Sequence, residues 1–242
     1  ERIGELRELI NSLEQCNKIA QIEVACDDQQ CLLVFRNLEP LPEGDLEKLD
    51  QFGKATHLKI YLQPKGPDTV APLNDDHQTT LRYHLDRFDL DFQFLPTDFT
   101  QVNGAINQEM VPLAVELLAL SQDDEVLDLF CGLGNFTLPI ARQAAQVVGV
   151  EGEQSLVERA RENAAANQID NAHFYAVDLQ DEESGGVWLN ERYSKVLLDP
   201  PRSGALEIVQ KMGKIRPQRI VYVSCNPATL ARDADELVNN QG

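Results

Sequence analysis

Cys225 is the residue best suited to covalent chemistry in this chain of 242 residues. It follows an apolar stretch at residues 220–223 and Ser224, and it precedes Asn226 and Pro227. A single cysteine is most often a small buried hydrophobe. This one lies in the most basic part of the chain, where positive charge favours the thiolate form. Its position therefore favours a nucleophile, whereas Cys131 is interpreted as a packing residue.

The basic surroundings of Cys225 contrast with the chain as a whole, whose formal net charge is −19 at pH 7. So acidic a protein does not bind nucleic acid with its whole surface. Between residues 195 and 232, however, seven cations face two anions. We expect contact with a polyanion to be concentrated in this basic window, although a solvated helix face is the alternative interpretation.

A glycine-containing loop, DLFCGLGNF at residues 128–136, joins a predicted strand to a predicted helix. Gly132 and Gly134 lack a Cβ atom, so the backbone can turn sharply and approach a ligand closely. Thr137 stands where a dinucleotide-binding fingerprint has its third Gly or Ala, which weakens a nicotinamide interpretation. A simple strand-to-helix turn that needs glycine is the alternative.

Acidic residues follow three further predicted strands. Glu151 comes 23 residues after Asp128 and could accept both ribose hydroxyls of a nucleoside ligand. Asp178 could reach an adenine amino group, and Asp199 precedes two prolines that would stiffen a loop holding a planar base. Together these strand ends predict an adenosine-bearing cofactor, with solvated surface acids as the alternative.

The elements that must position these residues alternate between strand and helix after about residue 101, which predicts a doubly wound parallel sheet. The predicted strands are 126–129, 147–150, 173–176, 196–198 and 220–223. The predicted helices are 108–118, 136–144, 154–167, 205–212 and 228–238. Since the carboxyl ends of parallel strands share one edge of the sheet, the loops described above should meet there.

The first part of the chain has a different pattern and no obvious chemistry. Apolar spacing predicts a helix at residues 3–13 and another at 46–52. Strands are predicted at 22–25, 32–35, 58–62 and 90–94. We therefore predict a smaller α+β domain at residues 1–95 followed by an α/β catalytic domain at residues 96–242.

Four segments resemble the RNA uracil-5-methyltransferases that use S-adenosyl-L-methionine: FTQVN at 99–103, DLFCGLGNFT at 128–137, LDPPRSG at 198–204 and VSCNPATLARD at 223–233. The resemblance implies a Rossmann-like class I methyltransferase domain, incomplete at its C-terminus, with Cys225 as the nucleophile. It implies no metal in this chain. The residues that it places around the cofactor are Gln101, Phe130, Asn135, Glu151, Asp178 and Asp199.

Within that family, the chain looks most similar to bacterial enzymes that form 5-methyluridine in 23S ribosomal RNA through a covalent bond from cysteine to uracil C6. Transfer RNA uracil-5-methyltransferases are a weaker match. RNA cytosine-5-methyltransferases have a Cys where Arg202 stands. Amino-methyltransferases of adenine or glutamine, which need no thiol, and a non-catalytic RNA-binding fragment are the remaining alternatives.

The resemblance also implies parts that we do not find in these residues. One is an N-terminal RNA-binding domain whose four cysteines hold a [4Fe-4S] cluster, and the other is a C-terminal strand pair bearing a glutamate base. No apolar run reaches the roughly 18 residues of a membrane helix. With five cysteines and no Cys-x-x-Cys pair, we expect reduced thiols in a cytoplasmic monomer, with Cys16, Cys26 and Cys31 purely structural.

Overall fold

The computed structural model describes residues 2–179 and 192–240. Its internal contacts divide the chain into two compact units. The first consists of residues 1–83 and 93–98, and the second of residues 84–92 and 99–242. All of the candidate site residues belong to the second unit.

The first unit is built on a four-stranded sheet in the order β1-β2-β3-β4. Its elements are α1 (Ile3–Ser12), β1 (Ile19–Cys26), β2 (Cys31–Asn37), α2 (Glu43–Thr56), β3 (Lys59–Gln63) and β4 (Ala71–Pro72). α2 is the crossover between the parallel strands β2 and β3. Phe35, Leu49 and Ile60 are fully buried in its core. The predicted helices and strands of this region are confirmed, except that the sequence did not indicate the short strand β4.

The cysteine prediction was wrong for two residues, because Cys26 and Cys31 form a disulfide. These residues end β1 and begin β2, and the hairpin register places them directly opposite each other. The two cysteines do not have Cys-x-x-Cys spacing, and it is the hairpin turn between β1 and β2 that brings them together. Cys16, Cys131 and Cys225 are free thiols, as expected.

β5 (Leu81–Leu85) and β6 (Leu90–Phe94) form a two-stranded sheet. β6 was predicted from its alternating pattern, in which Leu90, Phe92 and Phe94 are buried. β5 was missed, although Leu81, Tyr83 and Leu85 alternate with the polar residues Arg82 and His84.

The second unit contains a five-stranded parallel sheet in the order β11-β10-β7-β8-β9. Its strands are β7 (Glu125–Leu129), β8 (Gln146–Glu151), β9 (Ala172–Ala176), β10 (Lys195–Leu198) and β11 (Arg219–Tyr222). Its helices are α3 (Gly104–Leu118), α4 (Thr137–Ala141), α5 (Gln154–Ala166), α6 (Leu206–Val209), α7 (Met212–Ile215) and α8 (Pro227–Asn239). All five predicted strands are confirmed, whereas the helix predicted at 205–212 is divided into the short helices α6 and α7.

The strand order explains where a ligand can bind. The chain runs outward from β7 through β8 to β9, then returns to the other side of β7 with β10 and β11. Such a reversal opens a crevice at the carboxyl ends of the central strands. Apart from the exposed Glu125, the residues of β7 and β10 are buried, as is typical of the central strands of a parallel sheet. Among the described helices, none has the length and apolar character required to cross a bilayer.

Candidate active site

The loop after β7 turns sharply at the carboxyl edge of the sheet. Phe130 has a positive φ of 65°, and its backbone N–H and that of Cys131 both donate to the Val150 carbonyl of β8. Gly132 and Gly134 also have positive φ, which a residue with a Cβ atom rarely adopts. No heavy atom lies within 4 Å of the position that a Cβ of Gly132 would occupy. The loop therefore has an open side on which a ligand can approach the backbone.

Glu151 lies at the end of β8 and is bound to this loop. Its Oε2 accepts from the backbone N–H of Gly132 at 3.0 Å, and its Oε1 accepts from those of Gly152 and Glu153 at 2.7 and 3.2 Å. A carboxylate oxygen can accept two hydrogen bonds, so Oε2 has room for a further donor. Glu151 thus orients the glycine loop, a role that the sequence did not predict.

Asn135 is held by the side chain of Asn107, which was not predicted as a site residue. Asn107, which is buried in α3, donates from Nδ2 to Asn135 Oδ1 at 3.1 Å. Asn135 Nδ2 donates back to Asn107 Oδ1 at 2.9 Å. The reciprocal pair fixes the orientation of both amides. A polar residue in a helix that otherwise shows an apolar buried face was the only signal in the sequence.

Asp178 and Gln101 are two further cofactor candidates. Asp178 is exposed two residues after β9. Gln101 is half-buried, and Asn103 begins α3 by accepting the backbone N–H of Ile106 at 3.1 Å. Their roles toward a cofactor remain predictions.

Two aspartates at the ends of β7 and β10 have raised pKa values. Burial raises the pKa of Asp199 to about 6. Burial also raises the pKa of Asp128 to about 8, with further increases from the charges of Asp199 and Glu151. The Thr137 hydroxyl donates to Asp128 Oδ2 at 2.5 Å and partly opposes this shift. At neutral pH the cluster therefore keeps Asp128 largely neutral.

Cys225 is exposed between β11 and α8. Its neighbour Asn226 caps α8 by accepting the backbone N–H of Ala228 at 3.1 Å. The Nδ2 atom of Asn226 also donates to the carbonyl of Arg202 at 3.0 Å. The thiol is therefore accessible and next to the loop that follows Asp199. Cys131, by contrast, is buried as predicted, and burial raises its pKa well above the usual value.

The basic window is less available for binding than its composition suggested. Lys195 is buried, pairs with Asp124 at 3.1 Å and also donates to a backbone carbonyl of α3's C-terminal cap. Arg219 donates to the Leu117 carbonyl at 2.9 Å. Arg232 binds its neighbour Asp233 at 2.7 Å. These three cations stabilise the fold, so a count of charges overstated the surface that remains for a polyanion.

Comparison with known proteins gives a consistent result over nearly the whole chain. A family model described as tRNA (Uracil-5-)-methyltransferase matches residues 17–241. Relatives named 23S rRNA (uracil(1939)-C(5))-methyltransferase RlmD occur in Legionella pneumophila (strain Paris), at 51% identity over 99% of this chain, and in Nitrosococcus oceani, at 55% over 98%. The chain spans about half the length of these curated relatives, 54% and 53% respectively.

Solved structures agree on the fold. The Pyrococcus abyssi tRNA (uracil-54, C5)-methyltransferase in complex with S-adenosyl-L-homocysteine has a TM-score of 0.69 at 23% identity, covering 98% of this chain and 61% of that one. The M. jannaschii tRNA m1G37 methyltransferase has a TM-score of 0.54 at 14% identity, covering 88% of this chain and 60% of that one. The second unit accordingly has the Rossmann-like α/β fold of S-adenosylmethionine-dependent methyltransferases.

Proposed function

Because the chain belongs to the tRNA (uracil-5-)-methyltransferase family, we propose that residues 96–242 carry the chemistry of an enzyme that methylates C5 of a uridine in 23S ribosomal RNA. The choice of ribosomal RNA is supported by relatives at 51–55% identity that are named for that substrate. The transfer RNA enzyme of known structure is much less similar, at 23%.

The proposed cofactor is S-adenosylmethionine, and the residues at the sheet edge fit it. The open space beside Gly132 would allow S-adenosylmethionine to lie against the backbone of the glycine loop. Glu151 Oε2 would accept one ribose hydroxyl while remaining bound to the glycine loop, and Asp178 would accept from the adenine amino group. Gln101, Phe130, Asn135 and Asp199 would complete the binding site. The bound cofactor supplies an electrophilic methyl group on a sulfonium sulfur.

Cys225 would prepare the uracil for methylation. C5 of uracil is a weak nucleophile, but addition of the Cys225 thiolate to C6 gives the ring enolate character and places electron density on C5. C5 would then form a bond to the methyl carbon as the bond from that carbon to sulfur breaks, which leaves S-adenosyl-L-homocysteine. A base removes the C5 proton, the electron pair reforms the C5–C6 double bond, and the thiolate leaves C6. The resemblance implies that this base is a glutamate outside residues 1–242.

The uridine must leave its base stack to reach the thiol, at a cost of roughly a few kcal/mol. The observation that carries the proposal is the exposed Cys225 thiol, with Asn226 bonded to the loop that follows Asp199. A ribosomal RNA substrate would place the enzyme in the cytoplasm. We assign the implied [4Fe-4S] cluster to the complete protein only, and a monomer stays a prediction.

The test is covalent trapping of the complete protein by RNA containing 5-fluorouridine in the presence of S-adenosylmethionine. Fluorine at C5 leaves no proton for the base to remove, so the bond between Cys225 and C6 should persist on a denaturing gel. Cys225→Ala should form no adduct. Cys16→Ala, which removes another exposed free thiol, should form as much adduct as the wild type. Equal adduct from Cys225→Ala would refute the proposal.

A further inference from the structure

Asp233 is a fully buried carboxylate on α8, eight residues after Cys225. Its Oδ2 accepts from the Ala205 backbone N–H at 2.7 Å and from the Tyr222 hydroxyl at 2.6 Å. Its Oδ1 accepts from Arg232 Nε at 2.8 Å. One side chain is therefore bonded to the end of β11, to α8 itself and to the loop that follows Asp199.

More hydrogen bonds connect the start of α8 to the same loop. The Arg202 carbonyl accepts from Asn226 Nδ2 at 3.0 Å and from Thr229 Oγ1 at 3.3 Å. The Ser203 carbonyl accepts from Arg232 Nη2 at 2.9 Å. The first two turns of the helix that follows Cys225 thus hold residues 202, 203 and 205.

Gly204 shows how closely the two segments approach. Its φ is +82°, and a Cβ atom there would lie 2.5 Å from Arg232 Nη2 and 2.6 Å from Asp233 Oδ2. No real Cβ atom tolerates such distances to groups that are themselves bonded in place. The approach therefore requires glycine at this position.

The electrostatics agree with a charged Asp233. Burial by itself would raise its pKa, but hydrogen bonds from Ala205, Tyr222 and Arg232 lower the pKa below the usual value. Burial and the bond to Asp233 together raise the pKa of the Tyr222 hydroxyl, which stays protonated as a donor. The donors offset the cost of burying the charge and leave its orientation fixed.

We propose that Asp233 is a positioning residue for the methylation reaction. It holds two loops, the one that carries Cys225 and the one that follows Asp199, at the separation that lets the thiol reach C6 of the uracil. The inference rests on the proposed function. Its physical reason is that an apolar residue of similar size could fill this space but could not orient two loops through directional bonds.

Asp233→Asn in the complete protein tests this role, because the amide keeps the size of the side chain but turns one acceptor into a donor that faces other donors. We expect the rate of covalent trapping by 5-fluorouridine RNA to fall about 10- to 100-fold, the usual effect of a small misplacement of reacting groups. The dissociation constant of S-adenosyl-L-homocysteine, measured by calorimetry, should rise by a smaller factor than the trapping rate falls, because Asp233 bonds to the loop that follows Asp199, whereas the glycine loop is held separately by Glu151. A simple loss of folded protein would reduce covalent trapping and binding of S-adenosyl-L-homocysteine alike.

Two variants make the comparison specific. Tyr222→Phe removes one donor to the same carboxylate and should slow trapping by a smaller factor than Asp233→Asn does. Asp235→Asn changes an exposed carboxylate of the same helix, which accepts from Asn239, and should trap RNA at the wild-type rate. A folded Asp233→Asn protein that traps RNA at the wild-type rate would overturn the proposal. If Asp233→Asn does not fold, a wild-type rate for Tyr222→Phe would overturn it instead.

Amide hydrogen exchange separates this inference from the proposed function. Asp233→Asn should speed exchange in residues 202–205 and 224–229 together, whereas Asp235→Asn should change neither segment. If the wild type forms no adduct, the proposed function fails. In that case the exchange measurement alone decides whether Asp233 connects the two loops. Unchanged exchange in both segments would refute that role.

Discussion

At the scale of single residues, the proton that Asp128 keeps lowers the negative charge at the carboxyl edge of the sheet. Three carboxyl groups, those of Asp128, Glu151 and Asp199, interact electrostatically there. Glu151 is bonded to backbone N–H groups, whereas Asp128 is fully buried and bonded to Thr137. Asp128 is therefore the group that keeps its proton, and its pKa is raised to about 8.

The raised pKa of Asp128 predicts how stability depends on pH. The folded state holds this proton more tightly than the unfolded chain, whose aspartate has a pKa of 3.8. The resulting stabilisation is complete below the unfolded pKa and is lost as pH rises toward 8. Between pH 6.5 and 8, the free energy of unfolding should fall by at most about 1.4 kcal/mol per pH unit through this group. Asp128→Asn should make urea unfolding less dependent on pH in this range.

The control for Asp128→Asn is Asp123→Asn, which changes an exposed aspartate just before β7. This variant should keep the wild-type slope of stability against pH. The assignment of a raised pKa to Asp128 would be wrong if Asp128→Asn and the wild type had the same slope.

At the scale of elements, Gly149 sets how closely the loop after β7 can pack on β8 and β9. It is paired with Asp128 of β7 and with Phe174 of β9 in the centre of the sheet. A Cβ atom at this position would lie 2.8 Å from the Phe174 ring and 3.0 Å from Cys131 Sγ. Because Gly149 has no side chain, space remains beside β8 for the buried thiol of Cys131 in the glycine loop.

Gly149→Ala should therefore overpack the sheet and lower the free energy of unfolding by about 1–3 kcal/mol, measured by urea titration. Gly104→Ala is the matched control, because no heavy atom lies within 4 Å of its Cβ position at the start of α3. That variant should leave stability nearly unchanged. A stability loss as large for Gly104→Ala as for Gly149→Ala would argue against packing as the cause.

At the scale of the whole molecule, the proposed RNA substrate would have to bind a chain whose formal net charge is −19. Three cations of the basic window are bonded within the fold, so few remain for phosphate groups. Arg202 is exposed, and its backbone carbonyl is bonded to the residue after Cys225. Under the proposed function, Arg202 would contact a phosphate next to the flipped uridine.

Arg202→Gln should weaken RNA binding and reduce the slope of log K against log salt by about one, as expected for the loss of one phosphate contact. Arg142→Gln removes an exposed cation after α4 and should leave that slope unchanged. Fluorescence titrations of a labelled RNA at several salt concentrations measure both. An unchanged slope for Arg202→Gln would exclude this contact.

The sequence by itself determined the five strands of the parallel sheet and the positions of Glu151, Asp178, Asp199 and Cys225 at or just after strand ends. Apolar runs such as 126–129 and 196–198 mark buried parallel strands, and Gly132 and Gly134 mark the turn between strand and helix. These signals are local, because each depends on residues that are neighbours along the chain. The family resemblance rests on the same short segments.

Only the tertiary structure decided which distant side chains meet. Asn107 pairs with Asn135, Asp233 bonds to Ala205, and Cys26 is bonded to Cys31 across a hairpin. It also decided which cations are used internally and which carboxyl group keeps its proton. Hydrogen bonding and burial depend on groups that the fold brings together from separate elements, and no spacing along the chain specifies those partners.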